Sequence, residues 1–206
     1  MDIPAIYAVF KGGEVKTAPV KFEGANISFQ SELVRQTYSA EGMDDRMPIL
    51  VADVRGLGKG GLDDRLLTEM KFPGSDVWFM THILDVEDVF DCFMGEIVKV
   101  LIPYHTVRND LVLNEAYEVS ENCIPVLFVF EGKVICRGGG TKEIRAAVAE
   151  LSKTGFQDIA VLDTDSSVGS GEWTALNDRY EGLMPFLRKG DRSAEGIGFK
   201  RIIADL

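Results

Sequence analysis

A (βα)8 TIM-type barrel of two related halves is the fold class this sequence predicts, on three observations. The first is a phrase stated twice: IPAIYAVFKGGEVKTAP (Ile3 to Pro19) returns as IPVLFVFEGKVICRGGG (Ile124 to Gly140). Each copy is an apolar strand entered at Ile-Pro, a short glycine turn and a second strand. The second observation is a shared continuation: after each copy come a helix-length amphipathic segment and an apolar strand ending in an acid and glycines. Those strands lie in PILVADVRGLGKGG and DIAVLDTDSSVGSG, and they place Asp53 and Asp163 at equivalent positions 110 residues apart. The third is the texture of the strands, which are continuous apolar runs rather than alternating ones, as a parallel sheet covered by helices requires.

Along the chain, strands are predicted at 3–10 with a hairpin partner near 13–21, then at 48–54, 76–83, 97–105, 123–130 with a mate at 133–137, and 158–164. Trp78 and Phe79 in the third of these read as core. The clearest helix is Asp85 to Met94, where Val86, Val89, Phe90, Phe93 and Met94 keep the i, i+3, i+4, i+7, i+8 spacing. Its acidic start, Asp85-Val86-Glu87-Asp88, suits the positive end of a helix dipole. A second helix is predicted from Thr141 to Lys153. A last one starts near Glu172, carries Trp173, Leu176, Tyr180 and Leu183, and ends or kinks at Pro185. Six strand–helix units are then used up. The seventh strand has to fit between Gly182 and Gly190 and the eighth between Phe199 and Leu206, so the last quarter is expected to be abridged or incomplete.

Length and composition agree with one barrel domain over 1–206, with a first half of 1–120 and a second half of 121–206. At 206 residues the chain is short for a class that averages about 250. With 46% hydrophobic residues it can bury a large core. The net charge of −11 excludes broad affinity for nucleic acid or an anionic membrane surface, since clustered positive charge drives both. No apolar run reaches the roughly 18 residues of a membrane span. Cys92, Cys123 and Cys136 show neither metal-ligand nor redox-pair spacing, which suits thiols in a reducing cytoplasm.

The Ile-Pro strand with its glycine hairpin, the VADV and VLDT strands and the two-half repeat together resemble the isomerase and cyclase barrels of histidine biosynthesis. GFQDIAVLDTDSSVGSG is similar to that family's second-half strand, and the likeness runs over about residues 1–180. It implies an archaeal offshoot of unassigned reaction, and a barrel that takes a small phosphorylated sugar or nucleotide. The departures are as informative. When the hairpins are aligned, the family's two catalytic carboxylates fall on Val9 and Phe128, neither of which can move a proton. The family's glycine-pair phosphate turns are replaced by Met80-Thr81-His82 and Tyr104-His105-Thr106.

Those replacements supply the candidate catalytic residues. His82 and His105 are the chain's two histidines, and both fall at C-terminal ends of adjacent strands, the face on which barrel enzymes work. Asp53 and Asp163 are expected to point into the same bowl. Two imidazoles with carboxylates suit an acid–base pair or a divalent ion, and the residues leave that choice open. Purely structural roles compete at each position: histidines bonding loops, aspartates capping loop N–H groups. Asp165 reads as a turn former.

Two glycine loops remain. Gly56-Leu57-Gly58-Lys59-Gly60-Gly61 has the form of a dinucleotide fingerprint, but Asp53-Val54-Arg55 intervenes before the first glycine, so a flexible loop is the favoured reading. Arg55 and Lys59 on that loop are candidates to meet an anion. Arg137-Gly138-Gly139-Gly140 leads into a helix predicted to start at Thr141, so Gly138, Gly139, Gly140 and Thr141 are candidates for phosphate binding. The expected function is an enzyme or binder of a small phosphorylated metabolite, using isomerase- or lyase-like proton transfer if it is an enzyme. A non-catalytic ligand- or partner-binding barrel is the alternative and a dinucleotide-dependent enzyme a distant one. No cofactor is called for. A homodimer is expected to cover the thin wall of the last quarter through Phe186, Ile197, Phe199 or the Trp173 to Leu187 helix.

Overall fold

Eight parallel strands close on themselves in the structure, a computed structural model that describes residues 1–36 and 47–206. They are β1 (Asp2–Lys11), β2 (Pro48–Asp53), β3 (Asp76–Met80), β4 (Lys99–Pro103), β5 (Cys123–Phe130), β6 (Ile159–Asp163), β7 (Leu183–Leu187) and β8 (Ile202–Asp205). Each pairs with its sequence neighbours, and β8 returns to β1 through Asp2↔Ile202 to Ala5↔Asp205. The TIM-type barrel read from the sequence is therefore present and closed. The seventh strand does lie between Gly182 and Gly190, and Pro185 sits inside it instead of ending a helix.

Side chains alternate across the wall. Ile3, Ala5 and Tyr7 of β1, Leu50 and Ala52 of β2, and Ile124, Val126 and Phe128 of β5 fill the interior with their counterparts on the other strands. The intervening residues, such as Ile49, Val51, Leu127 and Val161, form a second core under the helices. Strands such as β2, β6 and β7 are thus buried on both faces, which is why they read as unbroken apolar runs. The helices are α1 (Val54–Lys59), α2 (Asp64–Glu69), α3 (Val86–Met94), α4 (Asp110–Val119), α5 (Ile144–Lys153) and α6 (Ser170–Asn177). Asp85 caps α3 by accepting the Glu87 N–H at 3.1 Å, and Asn109 caps α4 by accepting that of Val112 at 3.2 Å.

Three local expectations are corrected. After the first hairpin the chain continues not as a helix but as a second hairpin, Val20–Glu23 paired with Asn26–Phe29. The rest of that expected helical segment, 37–46, lies outside the described residues. Thr141 does not open a helix: Thr141–Glu143 pairs antiparallel with Lys133–Ile135, and α5 begins at Ile144. The last helix stops at Asn177, and Tyr180 lies in the following turn.

The wall near β7 and β8 is covered from within the chain. The non-helical segment 188–201 folds over it, burying Ala194 and setting Phe199 edge-on to Trp173 at 6.0 Å. Trp173 Nε1–H donates to Ser193 Oγ at 2.9 Å, and Phe186 points into the barrel. Phe186 and Phe199, expected to supply a subunit contact, are buried within the fold.

The N-terminal end of the barrel is closed by charge. Arg201 places Nη1 and Nη2 at 2.8 and 2.5 Å from the two oxygens of Asp158, and Lys99 Nζ stands 3.3 Å from the same carboxylate. The Lys99 ammonium also lies 5.4 Å from the centre of the Trp78 ring, a cation–π contact. Burial alone pushes the Asp158 carboxyl up, but the hydrogen bonds and charges of Arg201 and Lys99 outweigh it and hold it below the usual range.

Candidate functional site

The second hairpin decides the shape of the C-terminal mouth. Its alternation puts Lys21, Glu23, Asn26 and Ser28 outward, while Val20, Phe22, Ile27 and Phe29 join the barrel interior. Phe22 carries the largest set of ring contacts among the described residues. Its ring meets Tyr7 at 6.1 Å and Phe128 at 5.9 Å, both edge-on, and the Arg188 guanidinium lies 4.5 Å from its centre. Two groups of polar side chains flank this plug.

On one flank are the histidines predicted from the sequence. The His105 ring rests 4.5 Å from that of Phe128, and its Nδ1 is buried with no hydrogen-bond partner among the described residues. Burial, followed by the charge of nearby His82, lowers its pKa to about 4. His82 is also lowered, first by burial and then by Arg108, against an opposing pull from Asp88. Both imidazoles follow the C-terminal ends of adjacent strands, and burial disfavours the charged form of each. A neutral imidazole keeps one ring N–H as donor and one bare nitrogen as acceptor, so each ring can hydrogen-bond a ligand. No group of three or more His, Cys, Asp or Glu suited to a metal ion exists among the described residues.

Asp53 and Asp163 are placed elsewhere. Ala52 and Leu162 face the interior, so the next residue on each strand faces out, beneath the βα loop. Asp53 accepts N–H donors from Gly56 at 2.8 Å and Asp63 at 3.1 Å, and the Thr81 hydroxyl at 2.8 Å. Asp163 accepts from Ser167 N at 3.0 Å and Val168 N at 2.8 Å. Burial raises both carboxyls, opposed by these donors. The equivalence of the two residues is thus a shared loop-holding geometry. Asp165 does form a turn, accepting from Ser167 Oγ at 2.6 Å and Glu131 N at 2.9 Å.

The glycine motifs also change character. Val54–Lys59 is helix α1, capped by Asp53, with no extended glycine loop before it. A Cβ on Gly56 would stand 2.1 Å from Asp53 Oδ2 and 2.7 Å from Gly61 O, so only glycine fits there. Gly138, Gly139 and Gly140 form an exposed turn between two strands, not a helix entrance, and Thr141 is in the second of those strands. Arg137 beside them is paired with Asp110 at 2.6 Å.

The opposite flank carries residues that the sequence pattern did not single out. The Tyr7 hydroxyl donates to Asp205, the last residue of β8. Arg188 Nε stands 2.7 Å from Asp205 Oδ2, an ion pair whose N–H is not aimed along the oxygen, and Nη2 donates to the Val20 carbonyl at 2.8 Å. Burial is the largest influence on Asp205 and raises its pKa, against the lowering effects of Tyr7 and Arg188. Tyr7 is raised too, by burial and then by the charge of Asp205. The three line a cleft of about 230 Å³ with Ala18, Pro19 and Val34, at the rim between β8 and β1. Once the closed barrel shows that Ala5 and Ile203 face in, Tyr7 and Asp205, two residues on, do as well.

No family model and no curated protein matches the chain. Among solved structures, the fold is similar to the HMG-CoA lyase of Bacillus subtilis, with a TM-score of 0.55 at 11% identity over 77% of this chain. It is also similar to an HMG-CoA lyase from Acinetobacter baumannii in complex with coenzyme A and 3-methylmalate, with a TM-score of 0.51 at 12% identity over 69% of this chain. The aligned part spans 64% of the first lyase and 56% of the second. These likenesses establish the fold. They also correct the expected kinship with the histidine-biosynthesis barrels, along with the isomerase-type reading and the archaeal assignment drawn from it. The marks that suggested kinship, acid-ending strands before glycine turns, serve here to hold βα loops, a need any such barrel shares.

Proposed function

We propose that the chain is an enzyme that transfers a proton on a small organic acid in the cleft beside Tyr7, Arg188 and Asp205. The observation that carries this reading is one buried carboxyl. Asp205 lies at a C-terminal strand end, is raised in pKa, and lines a cleft whose walls mix the apolar Ala5, Ala18, Pro19 and Val34 with the cations Arg188 and Lys189. A carboxyl so placed is suited to general acid–base work near neutral pH. Arg188 keeps Nη1 uncommitted among the described residues and can receive a substrate carboxylate, while the Tyr7 hydroxyl orients the Asp205 carboxyl. The cleft volume of about 230 Å³ favours a short acid and leaves no room for a nucleotide. Proton transfer next to a carbonyl is a step of lyase chemistry, and the lyase-like fold supports the reading only by analogy. No helix among the described residues is long and apolar enough to cross a membrane. A cytoplasmic location belongs to the same proposal, on the free thiols of Cys92, Cys123 and Cys136.

Deuterium wash-in tests it. Pyruvate, 2-oxobutyrate and oxaloacetate are incubated in D2O with the protein, and loss of the proton signal beside the carbonyl is followed by NMR. Exchange faster than buffer is expected with at least one acid. A fall of about 10² to 10⁴ is expected in Asp205→Asn, with an unchanged circular dichroism spectrum. Exchange no faster than buffer, or an Asp205→Asn variant as fast as the parent, overturns the proposal.

A further inference from the structure

The connection from β2 to α2 holds a second recess, separate from the Tyr7 cleft. It measures about 500 Å³, within the range of small-molecule sites, and its charged walls are Arg55, Lys59, Asp63, Asp64 and Arg65. Its floor is preorganised. The buried Asp53 carboxylate gathers the Gly56 and Asp63 N–H groups and the Thr81 hydroxyl, which fixes the path of the chain beneath the recess.

Two opposite kinds of group meet there. Arg55, Lys59 and Arg65 bring three positive charges to a chain whose net charge is −11, beside the exposed Asp64 and the buried Asp63. Asp63 is only 7% exposed. Its Oδ1 accepts the Leu66 N–H at 3.3 Å and caps α2. Its Oδ2 is buried without a hydrogen bond, and Arg55 Nη1 approaches it no closer than 3.5 Å. A buried carboxylate oxygen that lacks a donor is costly and favours any ligand that brings an N–H or O–H. Arg55 is half exposed, so its guanidinium is open to an anion from solvent while it stands beside that oxygen. A simple anion would satisfy the cations and leave Asp63 unserved; a simple cation would do the reverse.

We propose that this recess binds a small zwitterion of the amino-acid type. Its carboxylate is held by Arg55 and Lys59 with Arg65, and its ammonium donates to Asp63. Charge-assisted bonds of both signs over so short a span select against ligands that carry only one charge.

The test is isothermal titration calorimetry of the full chain with each of the common L-amino acids up to ~10 mM, and with inorganic phosphate and sulfate. Binding of at least one amino acid is expected, weakened about tenfold or more both by Asp63→Asn and by the Arg55→Ala, Lys59→Ala double variant. Asparagine caps a helix as well as aspartate does, so Asp63→Asn keeps the α2 start and removes only the charge. Asp205→Asn is expected to leave this binding unchanged, which separates it from the proposed reaction. The proposal is overturned if no amino acid binds, if phosphate or sulfate binds as tightly, or if Asp63→Asn binds like the parent.

Discussion

Replacing Asp158 by asparagine removes one charge from the cluster that closes the N-terminal end of the barrel while keeping the side-chain shape. Two cations then stay behind: Arg201 loses a two-point contact at 2.8 and 2.5 Å and Lys99 a contact at 3.3 Å. Hydrogen bonds to charged groups are worth about 1.5–3 kcal/mol each, and breaking a buried pair costs about 3–5 kcal/mol. The three side chains are 18–21% exposed, so solvent relieves part of that cost and about 3 kcal/mol is expected. For a chain of this size each kcal/mol moves the melting point by about 2–4 °C, which predicts a drop of roughly 6–12 °C at pH 7. The pH dependence has a definite sign. The folded carboxyl is held below its ordinary value, so its contribution is fully present above the unfolded pKa of about 3.9 and is lost as pH falls through the lowered folded value. Urea titrations of both proteins should show a constant gap from pH 5 to 8 that narrows progressively as pH falls below about 4. A gap under about 0.5 kcal/mol at pH 7, or one that does not narrow at all as pH falls below about 4, would refute the reasoning.

Single contacts give three more expectations. Gly56→Ala drives a methyl into the Asp53 carboxylate and the Gly61 carbonyl and should cost about 1–3 kcal/mol or more in chemical denaturation. Phe22→Ala empties the plug between Tyr7, Phe128 and Arg188 and should cost about 3–5 kcal/mol by the same measurement. His105 is lowered to about 4, so the stability gained from burying it neutral should erode as pH falls from about 6.5 toward that value. Imidazole nitrogen shifts in NMR should show the ring still neutral at pH 5.5, and His105→Phe should flatten that part of the stability profile.

The barrel itself was legible in the sequence because its two signals are local. Unbroken apolar runs report burial on both faces of a strand, and helical spacing between them reports the cover. Even the short seventh strand was confined to the right window, between Gly182 and Gly190. Local pattern misled where a strand and a helix compete for the same few residues. Thr141–Glu143 joined an antiparallel ladder before α5 began, and Val20–Phe29 became a hairpin because its alternating side chains found the open barrel end.

The amino-acid sequence by itself determined the class of fold, the pairing of Asp53 with Asp163, and the arrival of His82 and His105 at one end of adjacent strands. Which way each side chain points was decided only by tertiary structure. In a strand buried on both faces, inward and outward residues are equally apolar, so the sequence carries no mark of parity, and a shift of one residue exchanges the mouth for the wall. Closure of the sheet set that parity. It turned Asp53 and Asp163 under their loops, and it brought Tyr7, Arg188 and Asp205 together from opposite ends of the chain.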